Sequence, residues 1–323
     1  MPMVSISLCM IVKNEEAVLS RCLNCLSDIV DEIIIVDTGS TDQTIPIAKR
    51  YTKQVYNFTW QDDFSKARNF AFSKAHCDYI YSADADEIID SANIEKFKTL
   101  KSMLLPEIEI VQMIYDEKGT VSTVLNATQE LRPKLYKRVR SFTWIDPIHE
   151  TVRTDPVVYD SDIVIFHRPI ENHTNRDFRT FEATYERTHY LSPRIFTMYM
   201  KELYRWGDLK ALERAANIIK DMSKKTEFSE DRLSEASIIL ARYHRLAKNG
   251  PEFMKAALRI FTLMQGTPCS EICCELALYY EQHGDLPEAK LWYINAKDET
   301  VPILDIKSGK EIPEKALLRL GDA

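Results

Sequence analysis

The stretch Val30-Asp-Glu-Ile-Ile-Ile-Val-Asp-Thr-Gly-Ser-Thr-Asp42 decides the fold of the first half of the chain. Four consecutive β-branched apolar residues, 33–36, are typical of a strand that is buried on both faces, as the strands of parallel sheets are. A polar turn with one glycine follows at once, and it contains several residue types that favour the start of a helix. The pattern therefore predicts a strand–turn–helix unit of an α/β protein.

Similar units lie on either side of this stretch. Apolar runs and helical spacing alternate at Val4–Val12, Ala17–Leu26, Glu32–Val36, Asp42–Tyr51, Gln54–Phe58, Phe64–Ala75 and Tyr79–Ser82. This order predicts a Rossmann-like, mostly parallel sheet with helices on both faces. A helix at Ile94–Leu104 follows, and mixed or antiparallel edge strands are predicted at Ile108–Tyr115, Val121–Leu125, Leu135–Arg138, Ser141–Ile145 and Ile163–Phe166.

From about residue 175 the chain has helical patterns only. The turn Arg205-Trp-Gly-Asp-Leu209 recurs as Gln282-His-Gly-Asp-Leu286, and Asn249-Gly-Pro251 lies between them. Gly250 and Gly284 are 34 residues apart, which is the period of tetratricopeptide helix pairs, although the preceding unit is longer. We therefore predict an α/β domain over residues 1–174 and an all-α, tetratricopeptide-like domain over residues 175–323, with a generic helical bundle as the alternative.

Composition narrows the functional classes. The chain has 323 residues and a net charge of −7, which argues against a broad electrostatic grip on nucleic acid. Its seven cysteines follow no disulfide framework, which predicts reduced thiols in a cytoplasmic protein. No stretch reaches the roughly 18 apolar residues of a membrane span. The apolar start, 1–12, lacks the basic segment of a signal peptide and is predicted to be a buried strand.

The strongest chemical signal follows the fourth predicted strand, in Ala83-Asp-Ala-Asp-Glu87. Ligands of open parallel sheets bind outside the carboxyl ends of the strands. Three carboxylates in four residues repel one another unless a cation is present, and on an extended backbone Asp84 and Asp86 point to the same side. This pair is predicted to bind Mg²⁺ or Mn²⁺ while leaving positions for diphosphate oxygens.

Three further residues near the carboxyl ends of predicted strands have two interpretations each. Asp37 could brace its own turn or accept a hydrogen bond from the imide N–H of a uracil. Glu15, in Lys13-Asn-Glu-Glu16, could belong to a helix-capping turn or face a ligand. Arg68, one turn into the third helix, could be an ordinary surface cation or reach a base carbonyl or a phosphate.

Four segments together resemble a known family. Leu8–Glu16, Val30–Asp42, Asp63–Asn69 and Asp84–Glu87 occur in the order and spacing of family 2 glycosyltransferases of the GT-A fold. The chain is similar to the branch with lipopolysaccharide-core glucosyltransferase-like proteins and bacteriocin S-glycosyltransferase-like proteins that carry C-terminal helical repeats. The resemblance covers roughly the first half of the chain. It implies a nucleotide-diphosphate sugar donor, here UDP-sugar, a divalent cation, and inversion at the anomeric carbon.

The resemblance also implies roles for individual residues. Asp37 would hold the base and Glu15 would lie near the nucleoside. Arg68 would contact the base or a phosphate. Asp84 would contact the ribose or the metal, and Asp86 would contact the metal and the diphosphate.

An inverting transfer needs one general base, and its identity is open. Many family members carry a Glu-Asp pair after the D-x-D motif, which this sequence lacks. The segment 144–150 offers Glu150 first and Asp146 second, with His149 orienting Glu150 or contacting phosphate. These three could instead be polar residues at a strand end. His167 could complete the metal shell, or it could be a satisfied histidine at the sheet edge.

The predicted activity is transfer of a hexose or N-acetylhexosamine from a UDP-sugar to a peptide or protein side chain. Stacked helix pairs present surfaces suited to peptides, so the helical domain is expected to bind the acceptor or to form a homodimer. A saccharide or lipid-linked acceptor is the alternative. A third possibility is a catalytically weak UDP-binding protein that acts through its helical repeats. A glycoside hydrolase would not need the D-x-D motif, and a nucleotidyltransferase would carry a basic, glycine-rich loop where Lys13-Asn-Glu-Glu16 stands.

Overall fold

The computed structural model describes residues 3–116, 129–152, 155–168, 174–224 and 228–321. The described residues up to 168 form one compact unit, and those from 174 onward form a second. The strand predicted at Val121–Leu125 lies outside the described residues.

The first unit alternates strands and helices over its first half. Its described strands are β1 (Ile6–Val12), β2 (Glu32–Asp37), β3 (Val55–Asn57), β4 (Tyr79–Ala83), β5 (Glu87–Ile88), β6 (Ile110–Asp116), β7 (Gln129–Lys137), β8 (Trp144–Ile145), β9 (Thr151–Val152) and β10 (Val158–His167). Its described helices are α1 (Leu19–Leu26), α2 (Thr44–Ala48), α3 (Phe64–Phe72) and α4 (Ser91–Met103), with a short 3₁₀ helix at Arg138–Arg140.

Among the described residues, eight strands form one sheet in the order β3-β2-β1-β4-β7-β6-β10-β5. The first four of these neighbours are parallel, as predicted. Strand β7 runs antiparallel to β4 and β6, and β5 runs antiparallel to β10, which confirms a mixed edge. Strands β8 and β9 form a separate antiparallel pair. The chain moves from β1 outward to β3 and then returns to the other side of β1, so a topological switch point lies between β1 and β4.

Helices cover both faces of the sheet, and alternate side chains of β1 point toward one face or the other. Leu8 and Met10 belong to a buried cluster that also contains residues of α1 and α4. Cys9 faces the other way and packs with Ala71 of α3. Burial on both sides explains why β1 and β2 are near-continuous apolar runs, and it confirms the predicted α/β architecture.

Some predicted boundaries are wrong. Strand β7 begins at Gln129 and not at Leu135, and β10 begins at Val158 and not at Ile163. Helix α2 covers only Thr44–Ala48, although helical spacing extends over residues 42–51.

The second unit is all-α in the part that the structure describes, as predicted. Its helices are α5 (Thr174–Thr188), α6 (Pro193–Trp206), α7 (Leu209–Met222), α8 (Glu230–Leu246), α9 (Gly250–Leu263), α10 (Ser270–Gln282), α11 (Leu286–Ile294) and α12 (Glu311–Arg319). A π-helical turn at Asn295–Glu299 and a 3₁₀ turn at Ile306–Gly309 precede α12. None of the described helices of the chain is long and apolar enough to cross a membrane.

The three turns singled out in the sequence each separate two helices. The side chains of Asp208, Asn249 and Asp285 accept hydrogen bonds from backbone N–H groups three residues later, at the starts of α7, α9 and α11. Such a cap contributes about 0.5–2 kcal/mol. Gly284 has a φ of +80°, a conformation that L side chains rarely adopt. The recurring Gly-Asp-Leu sequence is therefore a helix stop followed by a capped helix start.

Candidate active site

The carboxyl ends of the parallel strands bring the predicted donor-side residues to one edge of the sheet. Asp37 is the last residue of β2, and Asp84 follows β4 directly. His167 is the last residue of β10, which runs in the same direction as β6. This edge, next to the switch point between β1 and β4, is the position where open α/β sheets bind ligands.

The loop after β1 is tied to the turn after β2. Asn14 has a φ of 56°, its N–H donates to Oγ of Ser40 (2.9 Å), and its Oδ1 accepts from the N–H of Thr41 (2.8 Å). The N–H of Glu15 donates to Oγ1 of Thr44 (2.7 Å). These bonds fix the backbone of Glu15, whose side chain is half-buried, beside the predicted base-binding turn.

Asp37 is buried and braces its own turn. Its Oδ2 accepts hydrogen bonds from the N–H groups of Gly39 (3.0 Å) and Ser40 (3.1 Å). Gly39 needs its φ of +107° to bring these groups to the carboxylate. Asp37 therefore braces its own turn, and its contact with a base stays a prediction.

Arg68 joins two residues that are far apart in the sequence. Its Nη2 donates to Oδ1 of Asp84 (3.1 Å), its Nη1 donates to Oγ of Ser82 (2.7 Å), and its Nε donates to Oε1 of Glu150. The guanidinium lies 5.1 Å from the ring centroid of Trp144. Arg68 is therefore a partly buried link between the residue that follows β4 and the candidate base, and it is not an ordinary surface cation.

Charge near Asp84 keeps it ionised. Partial desolvation would raise the pKa of Asp84, but the positive charge of Arg68, followed by that of Lys134, holds this pKa well below its usual range. The negative charges of Glu150 and Asp84 outweigh the effect of desolvation on Arg68 and raise its pKa. One carboxylate oxygen of Asp84 accepts a hydrogen bond from Arg68. The guanidinium therefore contributes to neutralising Asp84, and a metal ion is not its only possible source of positive charge.

Asp86 and His167, the two candidate metal ligands, are in contact. Nε2 of His167 lies 3.0 Å from Oδ2 of Asp86, and the N–H of Arg168 donates to the backbone oxygen of Asp86 (3.0 Å). Burial lowers the pKa of His167, but the hydrogen bond to Asp86 and the nearby carboxylates raise it above its ordinary value. Oδ1 of Asp86 is buried and has no hydrogen-bond partner among the described residues.

This donor set fits a divalent cation. A buried carboxylate oxygen without a partner calls for an explanation, and a cation supplies one. Carboxylate and imidazole are suitable ligands of Mn²⁺ and similar ions. In the described ranges no group of three or more His, Cys, Asp or Glu side chains is arranged to hold a metal by itself. Asp86 and His167 would therefore leave the other ligand positions to a diphosphate and water.

The segment that carries the base candidates is attached to α3. Asn69 exchanges two hydrogen bonds with the backbone of Trp144 (2.9 and 2.8 Å), and the N–H of Phe64 donates to the backbone oxygen of Pro147 (2.9 Å). Asp146 and His149 have φ values of 72° and 49°, a region in which Asp and His are enriched. The structure therefore joins Glu150 to Arg68 and places Asp146 and His149 in the bends that precede it.

Two charged residues near the site have no role in the sequence-based prediction. Lys134 of β7 pairs with Glu87, the residue that follows the D-x-D motif. Glu87 stands out in the sequence only as the third carboxylate of its run. Lys134 gives no signal, because 47 residues separate it from its partner.

Comparison with known proteins gives a family for the first half of the chain. The family model described as "Glycosyl transferase family 2" matches residues 7–153. A TPR repeat-containing protein of Synechococcus elongatus is 44% identical over 102 residues, which cover 32% of this chain and 25% of that protein. The SPbeta prophage-derived glycosyltransferase SunS of Bacillus subtilis is 35% identical over 102 residues, which cover 29% of this chain and 23% of SunS.

Among solved structures, glucosyl-3-phosphoglycerate synthase from Mycobacterium tuberculosis, crystallised with Mn²⁺ and UDP-glucose, matches with a TM-score of 0.43 and 13% identity. That match covers 59% of this chain and 81% of the synthase chain. The chain spans about a quarter of the length of each of the two relatives above. The match to the glycosyl transferase family 2 model, residues 7–153, includes every candidate site residue except His167.

Proposed function

We propose that this protein is an inverting, metal-dependent glycosyltransferase that moves a hexose or N-acetylhexosamine from a UDP-sugar to a peptide or protein side chain. The family 2 domain supports the reaction class. The observation that carries the proposal is the position of Arg68, which contacts Asp84 on the donor side and Glu150 on the other side. One guanidinium thereby sets the separation of the donor site and the candidate base.

The donor half of the proposal uses the carboxyl edge of the sheet. Asp37 and Glu15 would bind the uridine, while Asp84 would contact the ribose or the metal. Asp86 and His167 would hold Mn²⁺ or Mg²⁺, supported by their 3.0 Å contact and by the oxygen of Asp86 that lacks a partner within the described ranges. The cation would neutralise the charge that develops on the departing diphosphate.

The acceptor half needs a base. The acceptor hydroxyl or thiol attacks the anomeric carbon, the bond from that carbon to the diphosphate oxygen breaks, and UDP leaves with the bonding electrons. Glu150 takes the acceptor proton through Oε2, because its Oε1 is bound to Arg68. A single displacement inverts the anomeric configuration. Asp146, in the bend before Glu150, is the second candidate for the base, and His149 would orient Glu150 or contact phosphate.

The helical unit would bind the acceptor. Successive helix pairs, such as α8–α9 and α10–α11, build surfaces on which an extended peptide can lie. The same surface could instead form a homodimer. We also propose a cytoplasmic location, supported by seven cysteines that are free of disulfides.

The test is a transfer assay with UDP-glucose and UDP-N-acetylglucosamine as donors. Peptides with Ser, Thr or Cys, free oligosaccharides and a lipid-linked saccharide are offered as acceptors. We expect transfer to a peptide, with an anomeric configuration opposite to that of the donor by NMR. Transfer only to a saccharide or lipid-linked acceptor would contradict the acceptor class, and a retained configuration would contradict the single displacement. UDP binding without transfer to any acceptor would favour a binding protein that acts through its helices.

A further inference from the structure

Lys134 and Glu87 form a buried ion pair beside the candidate metal ligands. The Lys134 and Glu87 side chains are 7% and 2% exposed, and Nζ of Lys134 donates to Oε1 of Glu87. Removing either partner would leave an uncompensated buried charge. An ion pair that only stabilises the unit could lie anywhere in its core. The position of this pair beside the candidate metal ligands is therefore what points to a role at the site.

Lys134 reaches this position because of a β-bulge. Strand β7 pairs with β6 through Leu135 and Val111 and then through Pro133 and Gln112, so Lys134 is the extra residue between them. A bulge leaves one residue without a ladder partner and turns its side chain in a new direction. The ammonium group of Lys134 then lies 5.1 Å from the ring centroid of Tyr115 and meets Glu87.

Glu87 belongs to the short ladder that presents the metal candidates. It is the first residue of β5, where it pairs with His167 of β10, and it directly follows Asp86 in the chain. The N–H of Arg168 donates to the backbone oxygen of Asp86 in the same ladder. Because β5 has only two residues, its own backbone pairing is limited. The bond to Lys134 adds an attachment to β7 in the middle of the sheet.

We propose that Lys134 and Glu87 are positioning residues that hold Asp86 and His167 in the arrangement that accepts a divalent cation and a diphosphate. They would act through Glu87, which follows Asp86 in the chain and pairs with His167 across the ladder. The inference rests on the proposed function, because it concerns the metal and diphosphate of that same site. Partners of metal ligands commonly change metal affinity by about 10- to 100-fold when they are removed.

The test measures the Mn²⁺ concentration that gives half-maximal UDP binding, together with the urea-unfolding transition, for the full-length protein. K134M and E87Q should each raise this Mn²⁺ concentration by about tenfold or more, whereas K134R, which keeps the charge, should stay within about threefold of the wild type. The matched control is K101M. Lys101 is 8% exposed and binds Asp31 (2.6 Å) in the same unit, near the start of β2. The K101M variant should be less stable than the wild type, but its Mn²⁺ requirement should not change.

An unchanged Mn²⁺ requirement in folded K134M or E87Q would overturn the inference, as would a shift in K101M equal to theirs. If K134M does not fold, E87Q and K134R decide by the same criteria. Absence of Mn²⁺-dependent UDP binding in the wild type is a different outcome, since it overturns the proposed function on which this inference rests.

Discussion

Nε2 of His167 lies 3.0 Å from Oδ2 of Asp86, although 81 residues separate the two in the chain. The contact exists because the end of β10 pairs with β5, which begins immediately after Asp86. His167 lies beyond residues 7–153, which match the family model. The candidate metal site therefore draws one residue from the D-x-D motif and one from a strand that follows the matched segment.

Replacing His167 by alanine tests its assignment as a metal ligand. H167A removes the imidazole beside Asp86, so we expect UDP affinity in saturating Mn²⁺ to fall by about tenfold or more, on the scale of metal-site substitutions. The measurement is calorimetric titration of UDP with and without Mn²⁺. H76A is the control, because His76 is exposed and pairs with Glu32 at the start of β2. A metal requirement that is the same in H167A and in the wild type would make His167 an edge residue.

Replacing Arg68 by methionine should destabilise the first unit. Glu150 is 10% exposed and would be left without its cation, while Asp84 is 43% exposed and would suffer less. Removing one partner of a buried pair costs roughly 3–5 kcal/mol, and the partial exposure of Asp84 favours the lower end. Urea unfolding measures the change. The control R214M, at a half-exposed arginine paired with Glu182, should cost at most about 1 kcal/mol. Equal losses in both variants would contradict the linking role of Arg68.

Glu150→Gln tests the base. The amide keeps the shape and can still bind Arg68, but it takes no proton, so we expect UDP affinity to stay near that of the wild type. The turnover number should fall by about 10²- to 10⁴-fold. The comparison variant is D146N, measured in the same transfer assay. Near-normal turnover in E150Q with a large loss in D146N would transfer the role of base to Asp146.

Glu235 of α8 gives the helical unit a pH-dependent stability. Burial raises the pKa of Glu235 to about 7, an effect partly offset by the hydroxyl of Thr197 (2.9 Å), Lys201 and Arg232 and reinforced by Asp231. A folded-state pKa above the unfolded value of 4.5 means that this contribution is complete below pH 4.5 and is lost as the pH rises through about 7. The shift corresponds to roughly 3 kcal/mol.

The measurement is the free energy of unfolding in urea at pH 5, 6, 7 and 8. The wild type should lose stability over this range relative to E235Q, whose amide does not titrate. The same pH slope in both proteins would show that Glu235 is not the responsible group.

The parallel half of the fold could be predicted because local sequence determines it. Strands β1 and β2 are buried on both faces, so their residues are apolar in continuous runs. The first half of strand β7 has no strand signal in the sequence because Glu130, Arg132 and Lys134 are polar and Pro133 interrupts the run. Glu130 and Arg132 pair with each other, whereas Lys134 pairs with Glu87, a distant residue that no local pattern reveals.

The candidate site likewise contains some residues that local sequence reveals and others that only tertiary packing brings together. Asp37, Asp84 and Asp86 could be proposed as candidates because each lies at or just after the end of an apolar strand. The link from Arg68 to Glu150 spans 82 residues and depends on how the segment after β8 packs on α3. Lys134 depends on a bulge, which the sequence marks only by a neighbouring proline. Long-range contacts of this kind follow from tertiary packing and not from local periodicity.

Calorimetric titration of UDP with and without Mn²⁺, on the wild type and on D86A, tests the central claim most directly. Asp86 has a buried oxygen beside His167 that finds no partner in the part of the chain that the structure describes, so we expect it to be indispensable to the metal-dependent complex. The prediction is UDP binding by the wild type only when Mn²⁺ is present, weaker binding of GDP, and no Mn²⁺-dependent binding by D86A. Undiminished Mn²⁺-dependent UDP affinity in D86A, or no UDP binding by the wild type, would contradict the account.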